Sequence, residues 1–312
     1  IGIPGNKKLN VTSIEDYTNV KVKDNSSSRN RIAVIFALGE IQHSSGSENI
    51  IGYENLPDAI RKAKDDDRVK AIVMRVNSPG GDALTSDLIW REVTLAKEKK
   101  PFIISMGNVA ASGGYYISCA ADTIVAEPNT ITGSIGVFGI LPNLKNFFKD
   151  KLGITFDRVN TGKYSDLFNI NRPLTNEEKV IFQSAIDRIY KSFVQKVATG
   201  RKKTFNDISK IAQGRVWTGL QAKENGLIDE IGGLNDAIKI AAAKAKIGQY
   251  SLLEYPVQKN LIRTLLEDFS ADAELSILKM KLGEDFTIYS QLQKYKNLKG
   301  IQARLPVDLR IY

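Results

Sequence analysis

The sequence predicts an α/β fold built around a parallel sheet, and three observations predict it. Continuous apolar runs of strand length recur along the first half of the chain. Helical segments separate them, as right-handed crossovers between parallel strands require. Glycine-rich turns follow two of the strands and precede helices, so their loops gather at one edge of the sheet, where ligands of open α/β folds bind.

The elements follow in order. Residues 1–30 are polar, ending in Asp24-Asn25-Ser26-Ser27-Ser28, and read as an arm or linker that cannot fold alone. Ile32-Ala33-Val34-Ile35-Phe36-Ala37-Leu38 is a strand buried on both faces, stopped by Gly39. The segment Gly46 to Tyr53 is polar, and a helix begins at Leu56 with Pro57 near its start. Val69 to Val76 is a second strand, ended by the turn Asn77-Ser78-Pro79-Gly80-Gly81-Asp82; Thr85 to Lys97 is a helix. Phe102 to Met106 is a third strand, Gly107 to Gly114 a loop, and a small-residue helix runs from Ser112 through Ala121. Ile124-Val125-Ala126 is a fourth strand, and Thr130 to Gly139 is a glycine-punctuated strand region.

Asn176 to Val197 is a long packing helix, with Val180, Ile181, Ala185, Ile189, Phe193 and Val197 at helical spacing. Arg215 to Asp229 reads as turn, helix and turn, and Leu234 to Ala245 as an alanine-rich helix. Three units result: the polar arm 1–30, a main domain 31–245 and a helical C-terminal extension 246–312.

Composition narrows the function. With 42% hydrophobic and 25% charged residues in 312, the chain is of ordinary globular type and long enough for a sizeable core. The net charge of +9 raises nucleic acid or anionic lipid as partners, but the basic residues are scattered. Their densest cluster, Arg201-Lys202-Lys203, lacks interleaved aromatics, so a solvated surface and no nucleic-acid partner is the reading. One cysteine, Cys119, forbids an internal disulfide. No apolar stretch is long enough to span a bilayer. The chain opens on Ile1, so a segment upstream is expected, and it could carry a membrane anchor.

The chemistry gathers at Ala110-Ala111-Ser112-Gly113-Gly114-Tyr115-Tyr116. A serine at a loop-to-helix join is placed as a nucleophile, with the unpaired amides of the first helical turn beside it. Gly113 would supply one oxyanion donor and Gly81, in the loop after the second strand, the other. Either segment alone could be only a tight turn; together they assemble a donor pair around one hydroxyl, as acyl transfer requires. The serine needs a base. His43 is the only imidazole, and it either lines the site or is a surface residue; a buried lysine of lowered pKa is the other option.

These segments, with Thr132-Gly133-Ser134-Ile135-Gly136-Val137, Gly214-Arg215-Val216-Trp217-Thr218-Gly219 and Gly226-Leu227-Ile228-Asp229, resemble the signal peptide peptidase A or protease IV family. The resemblance runs from about Arg31 to Ala245 and implies a Clp protease/crotonase-like fold of ββα units. It implies Ser112 as nucleophile, a lysine base, no cofactor or metal, and hydrophobic peptide substrates such as cleaved signal peptides. It also implies a homo-oligomer at the bacterial cell membrane with its catalytic domain on the extracytoplasmic side.

The family's lysine stands in a Gly-x-x-Lys segment; here the matching segment is Gly162-Lys163-Tyr164-Ser165, with serine at the lysine position. The sequence thus looks like the C-terminal half of the family's tandem form, whose N-terminal half supplies the lysine. Lys163, two residues earlier, is the in-chain alternative, though two residues of strand displace Cα by about 6 to 7 Å. A crotonase-like acyl-CoA enzyme and a non-catalytic membrane-associated scaffold are the competing readings.

Overall fold

The computed structural model describes residues 28–47, 49–255 and 301–304. Most of the expected arm 1–30 and most of 256–312 therefore lie outside the described residues. The fold begins with β1 (Arg31–Leu38), β2 (Glu40–Ile41) and β3 (Ile50–Ile51), followed by helix α1 (Asn55–Asp65). Next come β4 (Val69–Ser78), β5 (Gly80–Asp82) and α2 (Ala83–Lys97). The chain thus twice runs strand, short strand, helix, which is the expected ββα unit.

After α2 stand β6 (Phe102–Ala111), α3 (Gly113–Ser118), β7 (Thr123–Ala126), β8 (Ile131–Gly133), β9 (Phe138–Gly139) and α4 (Lys145–Leu152). The long α5 (Asn176–Gly200) leads to α6 (Phe205–Ile211), β10 (Val216–Thr218), α7 (Gly219–Glu224), β11 (Glu230–Ile231) and α8 (Leu234–Lys244). Two strands, β12 (Ser251–Tyr255) and β13 (Ile301–Arg304), complete the described chain.

The main sheet has the order β10-β8-β6-β4-β1-β12, with β7 beside the first half of β6 and β11 beside β7. All its pairs are parallel except β10 with β8. Alternate residues face opposite sides. Ile32, Val34, Ala71, Val73 and Ile103 meet Ala237, Ile238 and Ala241 of α8, while Ala33, Ile35, Ile72, Met74 and Ile104 join the larger core with α1, α2, α3 and α5. Both faces are covered, so the strands read as unbroken apolar runs; each enclosed isoleucine contributes about 1.5–3 kcal/mol.

A second, smaller sheet has the order β3-β2-β5-β13-β9. The chain passes from the main sheet into it at Gly39 and at Pro79-Gly80. Gly39 has φ +90, and a methyl there would lie 2.0 Å from the Asn49 carbonyl oxygen, so only glycine makes this corner.

Several expectations change. The third strand does not stop at Met106: it continues to Ala111, with Val109 to Ala111 pairing with β8, so the glycine-rich segment is strand up to the residue before Ser112. The helix after Ser112 ends at Ser118 rather than Ala121. Val216–Thr218 is a strand, not a turn, held by β8. Within 246–312, expected to be helical, the described segments Ser251–Tyr255 and Ile301–Arg304 are strands, one added to each sheet. Finally, the fully buried residues of α5 are Phe193, Val194, Val197 and Ala198 and, at its start, Glu178; Val180 and Ile181 are exposed.

Candidate active site

Ser112 is the N-cap residue of α3 and is wholly buried. Its backbone has φ 52 and ψ −113, a region that residues with a side chain rarely occupy and that costs about 1–3 kcal/mol. The surroundings impose it. Its amide donates to the Gly133 carbonyl at 2.9 Å, its carbonyl accepts from the Tyr116 amide at 2.8 Å, and Gly114 sits so close to Ser78 that a methyl there would lie 2.6 Å from the Ser78 carbonyl oxygen. The chain is thereby turned sharply from strand β6 into helix α3, as at the strand-to-helix elbows that present nucleophiles. The Ser112 hydroxyl has one long contact, 3.4 Å to the Gly136 carbonyl.

Gly113 begins α3, so its N–H has no acceptor inside the helix and lies at the positive end of the helix dipole. The loop after β4 packs directly on it. Gly80 has φ +94, and a methyl on it would lie 2.5 Å from the Gly113 amide nitrogen and 2.2 Å from the Ala303 carbonyl oxygen. Gly81, the donor expected from sequence, is the neighbouring residue of β5, between Ile41 of β2 and Ala303 of β13. The Ser78 hydroxyl accepts from the Gly80 amide at 3.2 Å, and Asp82 caps α2 by accepting from the Thr85 amide at 2.7 Å, so both ends of the 80–82 segment are tied down. Ser112, Gly113 and the Gly80-Gly81 pair are therefore brought together.

The base candidates are not. Lys163 is 65% exposed and pairs with Glu177 at 2.6 Å. That carboxylate holds its amine above the ordinary lysine range, the reverse of what a base at neutral pH needs. Ser165, at the family's lysine position, is exposed and donates to the Gly162 carbonyl at 3.0 Å. His43 is 62% exposed, tilted against Tyr53 and 3.8 Å from Asp82. It is a surface residue.

The helix behind the nucleophile is pinned by its two tyrosines. Tyr115 is buried and donates to the Leu227 carbonyl at 2.7 Å; Tyr116 donates to Asp87 of α2 at 2.8 Å. Lys196 of α5 joins Asp87 and Tyr116 and lies over the Trp90 ring, 4.3 Å from its centre. Burial raises both phenols far above their ordinary range, so they act as neutral donors. Gly80 and Ala303 were not singled out from sequence. The first lay within the quoted Ser78-Pro79-Gly80-Gly81 turn, whereas the second has no local signal, because it arrives by pairing with residues over two hundred positions away.

A buried, strained serine at a helix start, flanked by glycines, is an arrangement with the parts that acyl transfer uses: a hydroxyl nucleophile beside backbone amides. Comparison with known proteins places the chain. The model of peptidase family S49 matches residues 94–248. The chain is 38% identical to the chloroplastic serine protease SPPA of Arabidopsis thaliana over 98% of this chain and 45% of that one, and 40% identical to Protease 4 of Salmonella typhi over 81% and 41%. It is 34% identical to a Synechocystis protein described as a candidate protease, over 83% of this chain and 90% of that one. The chain belongs to peptidase family S49. It spans somewhat under half the length of the Arabidopsis and Salmonella relatives. Among solved structures, a ClpP1 mutant from Listeria monocytogenes matches with a TM-score of 0.45 at 18% identity, covering 66% of this chain and 94% of that one.

Proposed function

We propose that this chain carries the nucleophile and oxyanion hole of a serine endopeptidase of Ser-Lys type. The observation that carries the reading is the buried Ser112 in its strained N-cap geometry, with the Gly113 amide at the helix start and the Gly80-Gly81 loop packed against it. Ser112 Oγ attacks a peptide carbonyl while a neutral lysine amine takes its proton. The negative charge that develops on the carbonyl oxygen is held by the Gly81 and Gly113 N–H groups. The lysinium then protonates the leaving amine, and water, deprotonated by the same lysine, hydrolyses the acyl-enzyme.

The base comes from outside this chain's own site: Lys163 is solvated and ion-paired, and relatives about twice as long leave room for a homologous N-terminal half that supplies a lysine. Substrates are extended hydrophobic peptides such as cleaved signal peptides. The protein works as a homo-oligomer at the bacterial membrane, on the extracytoplasmic side, anchored by an upstream segment; among the described residues no helix is long and apolar enough to cross a bilayer.

The test uses the full-length protein. A fluorophosphonate should label Ser112, and Ser112→Ala should abolish both labelling and peptide cleavage. Because the base must be neutral, cleavage should rise toward alkaline pH. Labelling at another residue, or turnover that survives Ser112→Ala, overturns the reading. Turnover by this chain alone that is lost in Lys163→Ala would return the base to Lys163.

A further inference from the structure

Two serines that the chemistry does not consume stand at the ends of the segment that carries Gly80 and Gly81. Ser78 closes β4 and Ser86 lies one turn into α2; both are wholly buried. The Ser78 hydroxyl accepts from the Gly80 amide at 3.2 Å, at the start of the segment. The Ser86 hydroxyl donates to the Asp82 carbonyl at 2.8 Å, at its end.

The same two residues bear on the start of α3. The Ser86 oxygen lies where a methyl on Gly113 would meet it at 2.8 Å. A methyl on Gly114 would lie 2.6 Å from the Ser78 carbonyl oxygen and 3.3 Å from its Cβ. Each serine thus touches both walls of the candidate oxyanion hole: the loop with Gly81 and the helix start with Gly113.

Helix formation does not ask for a serine at 86. On propensity alone alanine serves better, and a bond to the carbonyl four residues back slightly weakens a helix. Nor does the start of α2 need it, because Asp82 already caps the helix, accepting from the Thr85 amide and from the Thr85 hydroxyl, each at 2.7 Å. What the Ser86 hydroxyl adds is a fixed spacing. It grips the residue after Gly81 on one side and rests against Gly113 on the other. Spacing matters here, since oxyanion donors act only when they sit about 2.7–3.1 Å from the place the charged oxygen takes.

We propose that Ser86, with Ser78 at the other end of the loop, is a positioning residue for acyl transfer: the two side chains set the gap between the Gly81 and Gly113 N–H groups. The proposal rests on the peptidase reading above and deepens it, by naming what holds the two donors in register.

The test compares two substrates of the full-length protein, a peptide ester and its thionoester, in which sulfur replaces the carbonyl oxygen. Sulfur is the larger atom and the weaker acceptor, so well-placed donors favour the ester. Ser86→Ala should lower kcat on the ester about tenfold at unchanged KM, less than the loss of a whole donor, because both amides are still present. It should lower kcat on the thionoester much less, so that the preference for oxygen shrinks. Ser78→Ala should act in the same direction. Ser86→Thr, whose hydroxyl can reach the same carbonyl, should keep the preference. Rates are taken per Ser112 titrated to completion with a fluorophosphonate, so unfolded protein does not enter them. Equal losses on the two substrates, or no loss in Ser86→Ala, would show a serine that only fills space and overturn the proposal. A protein with neither turnover nor Ser112 labelling before any substitution would reject the peptidase reading, and the positioning role with it.

Discussion

At Ser112 a side chain is held where glycine would be comfortable. Replacing it should separate chemistry from strain: Ser112→Gly should be more stable than Ser112→Ala by about 1 kcal/mol, since glycine occupies positive φ freely. Chemical denaturation of the two variants measures this, and equal stabilities would mean that φ 52 stores nothing. Gly80→Ala places a methyl against the Gly113 amide and the Ala303 carbonyl, so Ser112 acylation should fall at least about tenfold, the effect of disturbing one oxyanion donor. Labelling at the normal rate would show that the loop yields. Cys119 offers a control, because burial pushes its thiol up to about 12; it should resist alkylation until the protein unfolds. The serine and both flanking glycines were legible because small residues between a strand and a helix leave a local signature. Gly80's role was not: which of two adjacent glycines meets the helix start depends on how β5 is held from both sides.

Among the elements, α3 is short, and its position rests on side chains rather than on its own length. Lys196→Met removes the cation shared by Asp87, Tyr116 and the Trp90 ring, and should cost about 1–2 kcal/mol in thermal or urea unfolding. It should also slow Ser112 acylation; a change in neither would remove the pin from the account. The strands of the main sheet were readable as apolar runs because both faces are covered. The two-residue strands β2, β3 and β11 were not, being too short to carry a period. Strand β13 escaped for another reason: its pairing is wholly long-range, so nothing within Ile301–Arg304 announces it. The apolar spacing along α5 was real, yet periodicity alone does not say what covers a face, and Val180 and Ile181 face solvent.

Across the whole molecule, the segment that carries Lys163 is tied to the first turn of α5 by charges. Arg172 bridges Asp166 at 2.7 Å and Glu178 at 2.5 Å, and holds the Glu178 carboxyl down at about 2 against an ordinary 4.5. A carboxylate whose folded pKa is depressed stabilises the fold fully above its unfolded value, and that contribution is lost as pH falls through the folded one. Stability should therefore decline between about pH 4.5 and 2, and Glu178→Gln should flatten that decline in a series of melting curves. An unchanged acid limb would show that the bridge is not coupled to folding. The same helix has a mechanical consequence. Its 25 residues make a rod of about 37 Å, clamped behind α3 by Phe193, Val194, Val197 and Ala198. Between the clamp and the charge-tied first turn, Phe182 rests on Gly139 of β9, close enough that a methyl there would lie 2.4 Å from its ring. A tilt of about 5° about the clamp would carry Phe182 some 1.5 Å, roughly a third of the spacing between neighbouring strands. With the clamp behind α3 as fulcrum, a tilt of the first half of this helix is borne at the Phe182–Gly139 contact with β9.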